Sequence, residues 1–576
     1  MYVIMTRQAG AAAGEGDFWA AAGSMTDNTY VAHTARPLQP ATRPMEGHPM
    51  KPLPELIAGL PLKMCSPPGE APSIRDLTDD SRQVQPGTLF IARRGSGDDG
   101  QRYIDDAIGR GAAGIVAPRP PAGDAERRLA WATGPDVDGV LTAQLADRFY
   151  DHPGRALRVL AVTGTNGKTT VAFLMRHLLA GAGLRCGLLG TVYNDLGEGP
   201  QPASLTTPGP IELHRWLRRM VDAGCRAVAC ELSSHGLAQG RAAHLAVDAA
   251  VFTNLSGDHL DYHGTMDAYA AAKARLFEAL APSARAVVNA DDPWSGRIVA
   301  DCPAPVVRCR IDGDAPAHWR ARVLAGTARG SRIGVEGPGG GFEADLPLLG
   351  RYNVSNALLA LAAVASLGDA VDLAPAELAR LLAASPPVPG RLERVEVDGA
   401  GPGRAGGDAL PTVLVDYAHT DDALGNVLGA LRPLVGEGRR LVVVFGCGGD
   451  RDRGKRPRMA AVAWRLADGL VITSDNPRTE DPDRIIADTL TGLPPDAAGS
   501  GRLHVESDRA AAIEHAIASA APGAVVLIAG KGHEDYQVIG EQRLHFNDRE
   551  HAAAALARRS RAAGATSREE GQGVAS

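Results

Sequence analysis

Cysteine is scarce in this sequence. Seven occur in 576 residues, at 65, 186, 225, 230, 302, 309 and 447, with no Cys-x-x-Cys pair. The odd number and irregular spacing argue against a disulfide framework and a zinc site, and for a reducing compartment. A membrane-length apolar run is also missing. The longest uncharged stretch, Tyr352 to Gly368, carries two asparagines and is shorter than the ~20 apolar residues of a spanning helix; it reads as a buried helix. There is no basic excess either. The net charge is -7, which leaves no nucleic-acid footprint. The first fifty residues do not form a signal peptide, because Glu15 and Asp17 break their apolar stretch. Residues 1–50 read as a disordered leader, and 561–576 as a disordered tail. At 44% hydrophobic and 22% charged, the chain as a whole has an ordinary soluble globular composition.

What the sequence does contain is a recurring pattern. Short apolar strands run straight into polar clusters. The middle region has VT-GTNGKTT, VAC-ELSSH, VFT-NLSGDH and AVV-NADD; the last has VLV-DYAHT, VVVFG-CGGDRD, VIT-SDNPR and VLIAG-KGHED. Strands alternating with helical patterns predict parallel sheets. In open sheets of that kind, ligands sit beyond the carboxyl ends of the strands. Two consecutive regions built this way predict a site between two facing crevices. Breaks near 155 and 391 divide the chain into 51–155, 156–391 and 392–560. The glycine-rich stretch GVEGPGGGFEA, 334–344, reads as a loop within the middle domain.

The first cluster carries the most specific chemistry. Gly164, Thr165, Asn166, Gly167, Lys168, Thr169 and Thr170 lie between an apolar strand and a helical pattern. Glycines let backbone N–H groups turn inward, and the helix N-terminus behind them favours an oxyanion. Lys168 is placed to reach the β and γ oxygens of a triphosphate, and Thr169 to ligate magnesium. Position 162 is valine, so the motif is the shorter G-x-x-G-K-T. Magnesium wants oxygen ligands, and Glu231 stands at a strand end suited to that. His259 is a second candidate ligand, or a hydrogen-bonded loop histidine. Lys273, in YAAAKARLF, reads by itself as a helix-surface lysine.

Taken together, GTNGKTT, ELSSHGLAQGR, NLSGDHLDYHG, YAAAKARLF, NADD, GRYNVSNALLA, PGRLERV, DYAHT, GCGGDRDRGKRP, DNPR and GKGHED, in this order, resemble the Mur ligase family of peptidoglycan synthesis. The resemblance covers about residues 55 to 555. It implies an α/β chain of three domains: an N-terminal UDP-binding domain, a central P-loop ATPase with a mostly parallel sheet, and a C-terminal Rossmann-like domain. It further implies a cytoplasmic, monomeric enzyme using ATP and Mg²⁺, with no nucleic-acid partner and no membrane insertion. The lysine matching Lys273 is carbamylated in that family. A CO₂-derived carbamate there would hold metal beside His259, while Glu231 and Thr169 hold another. Asn289, Arg391, Tyr417 and His419 match the remaining ATP contacts.

The implied acceptor is UDP-N-acetylmuramoyl-L-Ala-D-Glu. Its matching positions are Asp79, Ser81, Ser96, Gly97 and Asp98 at the uridine end, with Thr206, Thr207, Ser233, Gln239 and Arg241 along the muramoyl-peptide. The stretch RRGSGDDG at 93–100 departs from the usual family pattern. The implied amine donor is meso-diaminopimelate, at Arg451, Asp475, Asn476, Pro477, Arg478, Gly530 and Glu534. An amino-acid head group needs a cation for its carboxylate and an acid for its ammonium, and this set offers both. Asp422, in DYAHTDDAL, and Asn547, in HFNDRE, are read as lying away from the chemistry. The competing readings are a lysine-adding or folylpolyglutamate-synthase-like ligase, a P-loop phosphotransferase, and a noncatalytic nucleotide binder.

Overall fold

The computed structural model describes residues 47–65, 71–95, 98–119, 129–327, 329–396, 410–436 and 438–572, the side chains of 327, 369 and 562–572 excepted. The expected leader lies outside the described residues as far as 46, and so do Ser96 and Gly97.

Three main sheets follow one another along the chain. The first has five strands: β1 (Lys63–Cys65), β2 (Asp76–Thr78), β3 (Thr88–Ile91), β4 (Gly114–Ala117) and β5 (Ala130–Thr133). They pair in the order β1-β5-β4-β3-β2. Helix α1 (Gly139–Phe149) starts at Asp138, whose carboxylate caps the Leu141 N–H at 2.9 Å. Its apolar face packs on one side of this sheet, with Leu141, Leu145 and Phe149 joining Leu77, Leu89 and Val116.

The second sheet has eleven strands. At its centre lies β6 (Arg158–Thr163), followed by helix α2 (Lys168–Gly181). After them come β7 (Cys186–Leu189), β8 (Tyr193–Asp195), β9 (Pro200–Pro202), helix α3 (Pro210–Asp222), β10 (Ala227–Glu231), β11 (Ala249–Phe252), helix α4 (Met266–Glu278), β12 (Arg285–Asn289) and β13 (Val306–Ile311). Then β14 (Trp319–Thr327), β15 (Gly330–Gly337) and β16 (Gly340–Leu346) lead to helix α5 (Arg351–Ala365). The order is β9-β8-β7-β10-β6-β11-β12-β13-β14-β15-β16. Strands β10 and β11 flank β6 on opposite sides, both parallel to it. The chain therefore changes winding direction at β6, and a crevice opens where its carboxyl end meets its neighbours. Helix α5 is the buried helix expected from the uncharged run; Val354, Leu358 and Leu361 are buried against α2 residues such as Val171 and Leu178.

The glycine-rich stretch is not a loop, which corrects the reading from sequence. Strands β15 and β16 form an antiparallel hairpin in which Gly337 faces Gly340, leaving Pro338 and Gly339 as the two-residue turn that such hairpins favour. Alternate residues face inward: Ile333, Val335, Ala344 and Leu346 are buried. The glycines hid a period of two.

The third sheet has six strands: β17 (Glu393–Arg394), β18 (Thr412–Asp416), β19 (Leu441–Cys447), β20 (Gly469–Ser474), β21 (Leu503–Val505) and β22 (Val525–Ala529). They run in the order β17-β18-β22-β19-β20-β21. Helices α6 (Asp421–Leu431) and α7 (Lys455–Leu466) cover one face. Helices α8 (Arg509–Ser519) and α9 (Asp548–Gln572) cover the other. The hairpin of β23 (Tyr536–Ile539) and β24 (Gln542–His545) leads into α9. Arg509 and Asp548, both buried, pair at 2.7 Å and tie α8 to the start of α9. Helix α9 continues to Gln572, so the expected tail from 561 is helical where described. Ala-rich, Arg-rich sequence favours that continuation. Among the described residues, no helix is long and apolar enough to cross a membrane.

Candidate active site

Thr163 ends β6, and Lys168 starts α2. Between them Gly164 takes φ 149° and Gly167 φ 88°, left-handed values that cost glycine nothing. A Cβ on Gly167 would also strike the Asn356 side chain of α5. The loop is held from behind. The Asn166 N–H donates to Asn254 Oδ1 at 3.0 Å, and the Asn166 carbonyl accepts from Thr253 Oγ1 at 2.6 Å. Lys168 Nζ donates to the Gly164 and Thr165 carbonyls at 2.9 and 2.8 Å, and burial holds its pKa below the usual lysine range. The Thr169 hydroxyl donates to Glu231 Oε2 at 3.0 Å, and Thr191 Oγ1 donates to the same oxygen at 3.0 Å. A carboxylate with two hydroxyls is a set of hard oxygens, the kind of donor magnesium prefers.

Lys273 is not on a helix surface. It is 1% exposed; its Nζ donates to the Gly164 carbonyl at 2.8 Å and sits 4.3 Å from the Tyr269 ring centroid. Burial first, then the charge of Lys168, holds its pKa well below the usual lysine range. A neutral amine is the nucleophilic form. His259 packs edge-on to Tyr269, with ring centroids 6.2 Å apart. Burial lowers its pKa to about 4 against the opposing pull of Asp258, which leaves a neutral imidazole with a lone pair.

The loop lines a cavity of about 680 Å³ with Asn289, Arg391, Tyr417 and His419. Asn289 donates to the Thr253 carbonyl at 2.8 Å. Arg391 crosses from the segment joining the second and third sheets. Its Nη2 donates to Thr169 Oγ1 at 3.1 Å, and its guanidinium lies 4.6 Å from the Tyr417 ring centroid.

A larger cleft, about 1480 Å³, opens alongside. One wall holds Thr206, whose hydroxyl is 3.0 Å from that of Thr191. Behind it, Thr207 Oγ1 donates to the Glu231 carbonyl at 3.0 Å and to Ser233 Oγ at 3.3 Å. Arg241 Nη1 donates to the Thr207 carbonyl at 2.8 Å, and its Nη2 to Gln239 Oε1 at 2.6 Å. Burial lowers the Arg241 pKa, and Arg93 adds to the effect while Asp79 opposes it, so the first sheet's edge lies beside this wall. Asp79 pairs with Arg93. Ser81 is buried and helps lower the Asp106 pKa, and Asp98 accepts from the Tyr103 hydroxyl. These three do not line the cleft.

The opposite wall is built from the carboxyl ends of β19, β20 and β22. It presents Arg451, Asp475, Asn476, Arg478, Gly530 and Glu534. Pro477 is set back; its carbonyl accepts the Glu480 N–H at 3.1 Å. Arg478 adopts φ 53°, and its Nη1 donates to the Gly449 carbonyl at 2.7 Å. Asn476 Nδ2 donates to Glu534 Oε2 at 3.1 Å. Burial and the nearby Asp475 raise the Glu534 pKa. Sequence reading missed Lys531, which is 0% exposed and donates to Asn476 Oδ1 at 3.1 Å. Its place in GKGHED was the available signal. It also missed Thr191, which no motif marked, and it set Asp422 aside. Asp422 in fact touches the phosphate loop: its Oδ2 accepts from Asn166 Nδ2 at 3.1 Å and Ser256 Oγ at 2.7 Å. Asn547 caps α9, accepting the Arg549 N–H at 2.9 Å.

A phosphate loop at the winding switch of one sheet, in a cavity that adjoins a cleft with a zwitterion-suited wall from another sheet, is the arrangement of a nucleotide-dependent α/β ligase. Comparison with known proteins agrees. The Mur ligase middle domain family matches residues 162–364, and the Mur ligase, glutamate ligase domain family matches 390–532. UDP-N-acetylmuramoyl-L-alanyl-D-glutamate--2,6-diaminopimelate ligase of Synechococcus elongatus is 44% identical over 528 residues, covering 88% of this chain and 98% of that one. The protein of the same name from Pseudomonas aeruginosa is 45% identical over 487 residues, covering 84% and 95%. A solved structure of a ligase of that name matches with TM-score 0.60 at 33% identity, covering 88% and 99%. Mycobacterium tuberculosis folylpolyglutamate synthase complexed with ADP and AMPPCP shares the fold, with TM-score 0.54 at 21% identity, covering 69% and 93%. The chain belongs to the Mur ligase family.

Proposed function

We propose that this enzyme joins meso-diaminopimelate to the D-Glu side-chain carboxylate of UDP-N-acetylmuramoyl-L-Ala-D-Glu, cleaving ATP to ADP and phosphate, in cytoplasmic synthesis of the peptidoglycan precursor. The observation that carries this is a pair of adjoining cavities that share Thr191, Thr206, His259, Tyr417 and His419 in their linings, with the phosphate loop lining one and Arg478, Asp475, Asn476 and Glu534 the other. A carboxylate is a poor acyl donor. Its oxygen attacks the γ-phosphorus of ATP, ADP leaves, and an acyl phosphate results. The amine nitrogen then attacks the acyl carbon, the C–O bond to phosphate breaks, and a proton leaves the nitrogen. The protein positions these groups and supplies charge.

Lys168 holds the phosphates, Asn289, Arg391, Tyr417 and His419 hold the rest of the nucleotide, and Thr206 and Ser233, with Thr207, Gln239 and Arg241 behind them, serve the muramoyl-peptide. Asp79, Ser81 and Asp98 serve the uridine end. Among the described residues no three His, Cys, Asp or Glu side chains form a metal cluster; nucleotide and water oxygens would complete an ion's shell. Mg²⁺ would be held by Thr169 and Glu231, and a second by His259 with a carbamate on Lys273, and would neutralise phosphate charge. The buried Lys273 amine, its pKa held well below the usual lysine range by burial, suits reaction with CO₂. Arg478 grips the distal carboxylate of diaminopimelate, which lysine lacks, and Glu534 with Asp475 faces its ammonium.

The test is phosphate release with UDP-muramoyl-dipeptide and meso-diaminopimelate, lysine or no amine. Turnover requires the dipeptide and diaminopimelate; equal use of lysine refutes the assignment.

A further inference from the structure

Helix α6 starts the far side of the cleft. Thr420 caps it by accepting the Ala423 N–H at 3.2 Å, which points the next residues at the second sheet. Asp422 crosses the gap. Its Oδ2 accepts from Asn166 Nδ2 at 3.1 Å, from Ser256 Oγ at 2.7 Å, and from Asn426 Nδ2 of its own helix at 3.3 Å. Asn166 is the side chain at the apex of the phosphate loop, and Thr253 and Asn254 fix its backbone. The Ser256 N–H donates to Thr165 Oγ1 at 3.0 Å, so both partners of Asp422 belong to one hydrogen-bonded unit with the loop.

We infer that Asp422 is a positioning residue that couples seating of the third sheet's lobe to the arrangement of the phosphate loop. The carboxylate does not touch the reacting atoms. It gives the lobe that carries Arg478 and Glu534 an acceptor that Asn166 and Ser256 satisfy together only when the two lobes meet across the cleft. A charged acceptor with two neutral donors is stronger than a neutral contact. Its exposure keeps it weak enough to break in each cycle, as a lobe that must open for product release requires. Arg391, bonded to Thr169, makes a second crossing at the base of the same loop. The lobe is thus read by the nucleotide site at two points.

This inference rests on the ligase reading for its kinetic consequence but not for its structural one, and the experiment separates them. Asp422→Ala, Asp422→Asn, Asn166→Ala and the double variant Asp422→Ala/Asn166→Ala are compared with the unmutated chain. The first readout is compaction on adding a nonhydrolysable ATP analogue, by small-angle scattering or a dye pair across the lobes. The second is phosphate release with the substrates above. In Asp422→Ala, kcat falls on the order of tenfold, as expected for loss of a charge-assisted hydrogen bond. Compaction needs more nucleotide, the KM for diaminopimelate changes less than kcat, and thermal stability is unchanged. Asp422→Asn retains an acceptor oxygen and recovers most of the rate. The double variant is no worse than Asp422→Ala alone, which already removes the contacts to both Asn166 and Ser256.

Nucleotide-driven compaction in Asp422→Ala equal to that of the unmutated chain overturns the coupling, whatever the substrate proves to be. Additive effects in the double variant overturn it as well. An unmutated chain that compacts normally but releases no phosphate with these substrates refutes the ligase reading and leaves the coupling to be judged on compaction alone.

Discussion

The joint between the first two lobes yields a sharp quantitative prediction. Arg215, on α3, is 3% exposed. Its Nε donates to the Tyr150 hydroxyl at 2.8 Å, and its Nη2 to Asp76 Oδ1 at 3.0 Å and to the Leu77 carbonyl at 3.0 Å. Tyr150 donates in turn to Asp76 Oδ1 at 3.2 Å. Asp76 is 7% exposed and Tyr150 0%. The network joins strand β2 to a helix of the second sheet. Arg215→Met keeps the stem volume and removes the charge, leaving a buried carboxylate unpaired. Breaking a buried pair from one side costs about 3–5 kcal/mol. An exposed pair such as Arg332 with Glu343, at 2.9 Å, is worth ~0–1 kcal/mol, so Arg332→Met is the control. Urea unfolding followed by fluorescence and circular dichroism measures both. Because the lesion sits at the first lobe's attachment, the KM for the UDP-dipeptide rises while ATP binding stays within about twofold. The double variant Asp76→Leu/Arg215→Met regains much of the loss, since an apolar pair replaces an ion pair with little penalty. A loss below about 1 kcal/mol in Arg215→Met, or a double variant no better than the single, refutes the reasoning.

Three further outcomes are expected. Lys273→Arg cannot form a carbamate; its ligation rate falls by on the order of a hundredfold or more, and a near-normal rate would exclude the modification. Arg478→Ala raises the KM for diaminopimelate about tenfold or more, from the loss of a charge-assisted carboxylate contact, while nucleotide affinity measured by calorimetry holds; a parallel loss of both would place Arg478 elsewhere in the mechanism. The third concerns acid. Burial lowers the His259 pKa from 6.5 to about 4 and that of His533 to about 3. Between those values and 6.5 the unfolded chain binds the extra protons, so stability is full above 6.5 and falls as pH drops through the window. The thermal midpoint should be lower at pH 5 than at pH 7.5, with a shallower slope in His259→Gln; a flat profile would contradict the neutral imidazoles.

Local signals explain most of what the sequence revealed. The phosphate loop is legible because glycine, lysine and threonine spacing is a property of a few adjacent residues. The facing-crevice arrangement is legible because apolar runs ending in polar clusters repeat along the chain. Lys273 was not legible in isolation. Its burial depends on the Gly164 carbonyl, 109 residues away, and on the Tyr269 ring, which a helical pattern does not distinguish from a surface neighbour. The β15–β16 hairpin was hidden by glycines that weaken strand propensity while leaving the inward positions apolar. Asp422 was set aside because its partners, Asn166 and Ser256, lie 256 and 166 residues earlier. Contacts of that range come from how lobes meet, and composition carries no trace of them.

The segment that joins the second and third sheets has a practical consequence for building hybrids. Gly390, at φ 65°, lies against the Gly532 and His533 backbone, where a Cβ would overlap the chain. Its carbonyl accepts the Tyr417 N–H at 3.0 Å. By contact, this strap is part of the final module, although it precedes that module's first long strand. A chimera exchanging amino-acid selectivity between relatives should therefore be spliced upstream of Gly390. A graft beginning at Thr412 would mate one parent's strap with the other's GKGHE loop and spoil a fit that only matched partners keep.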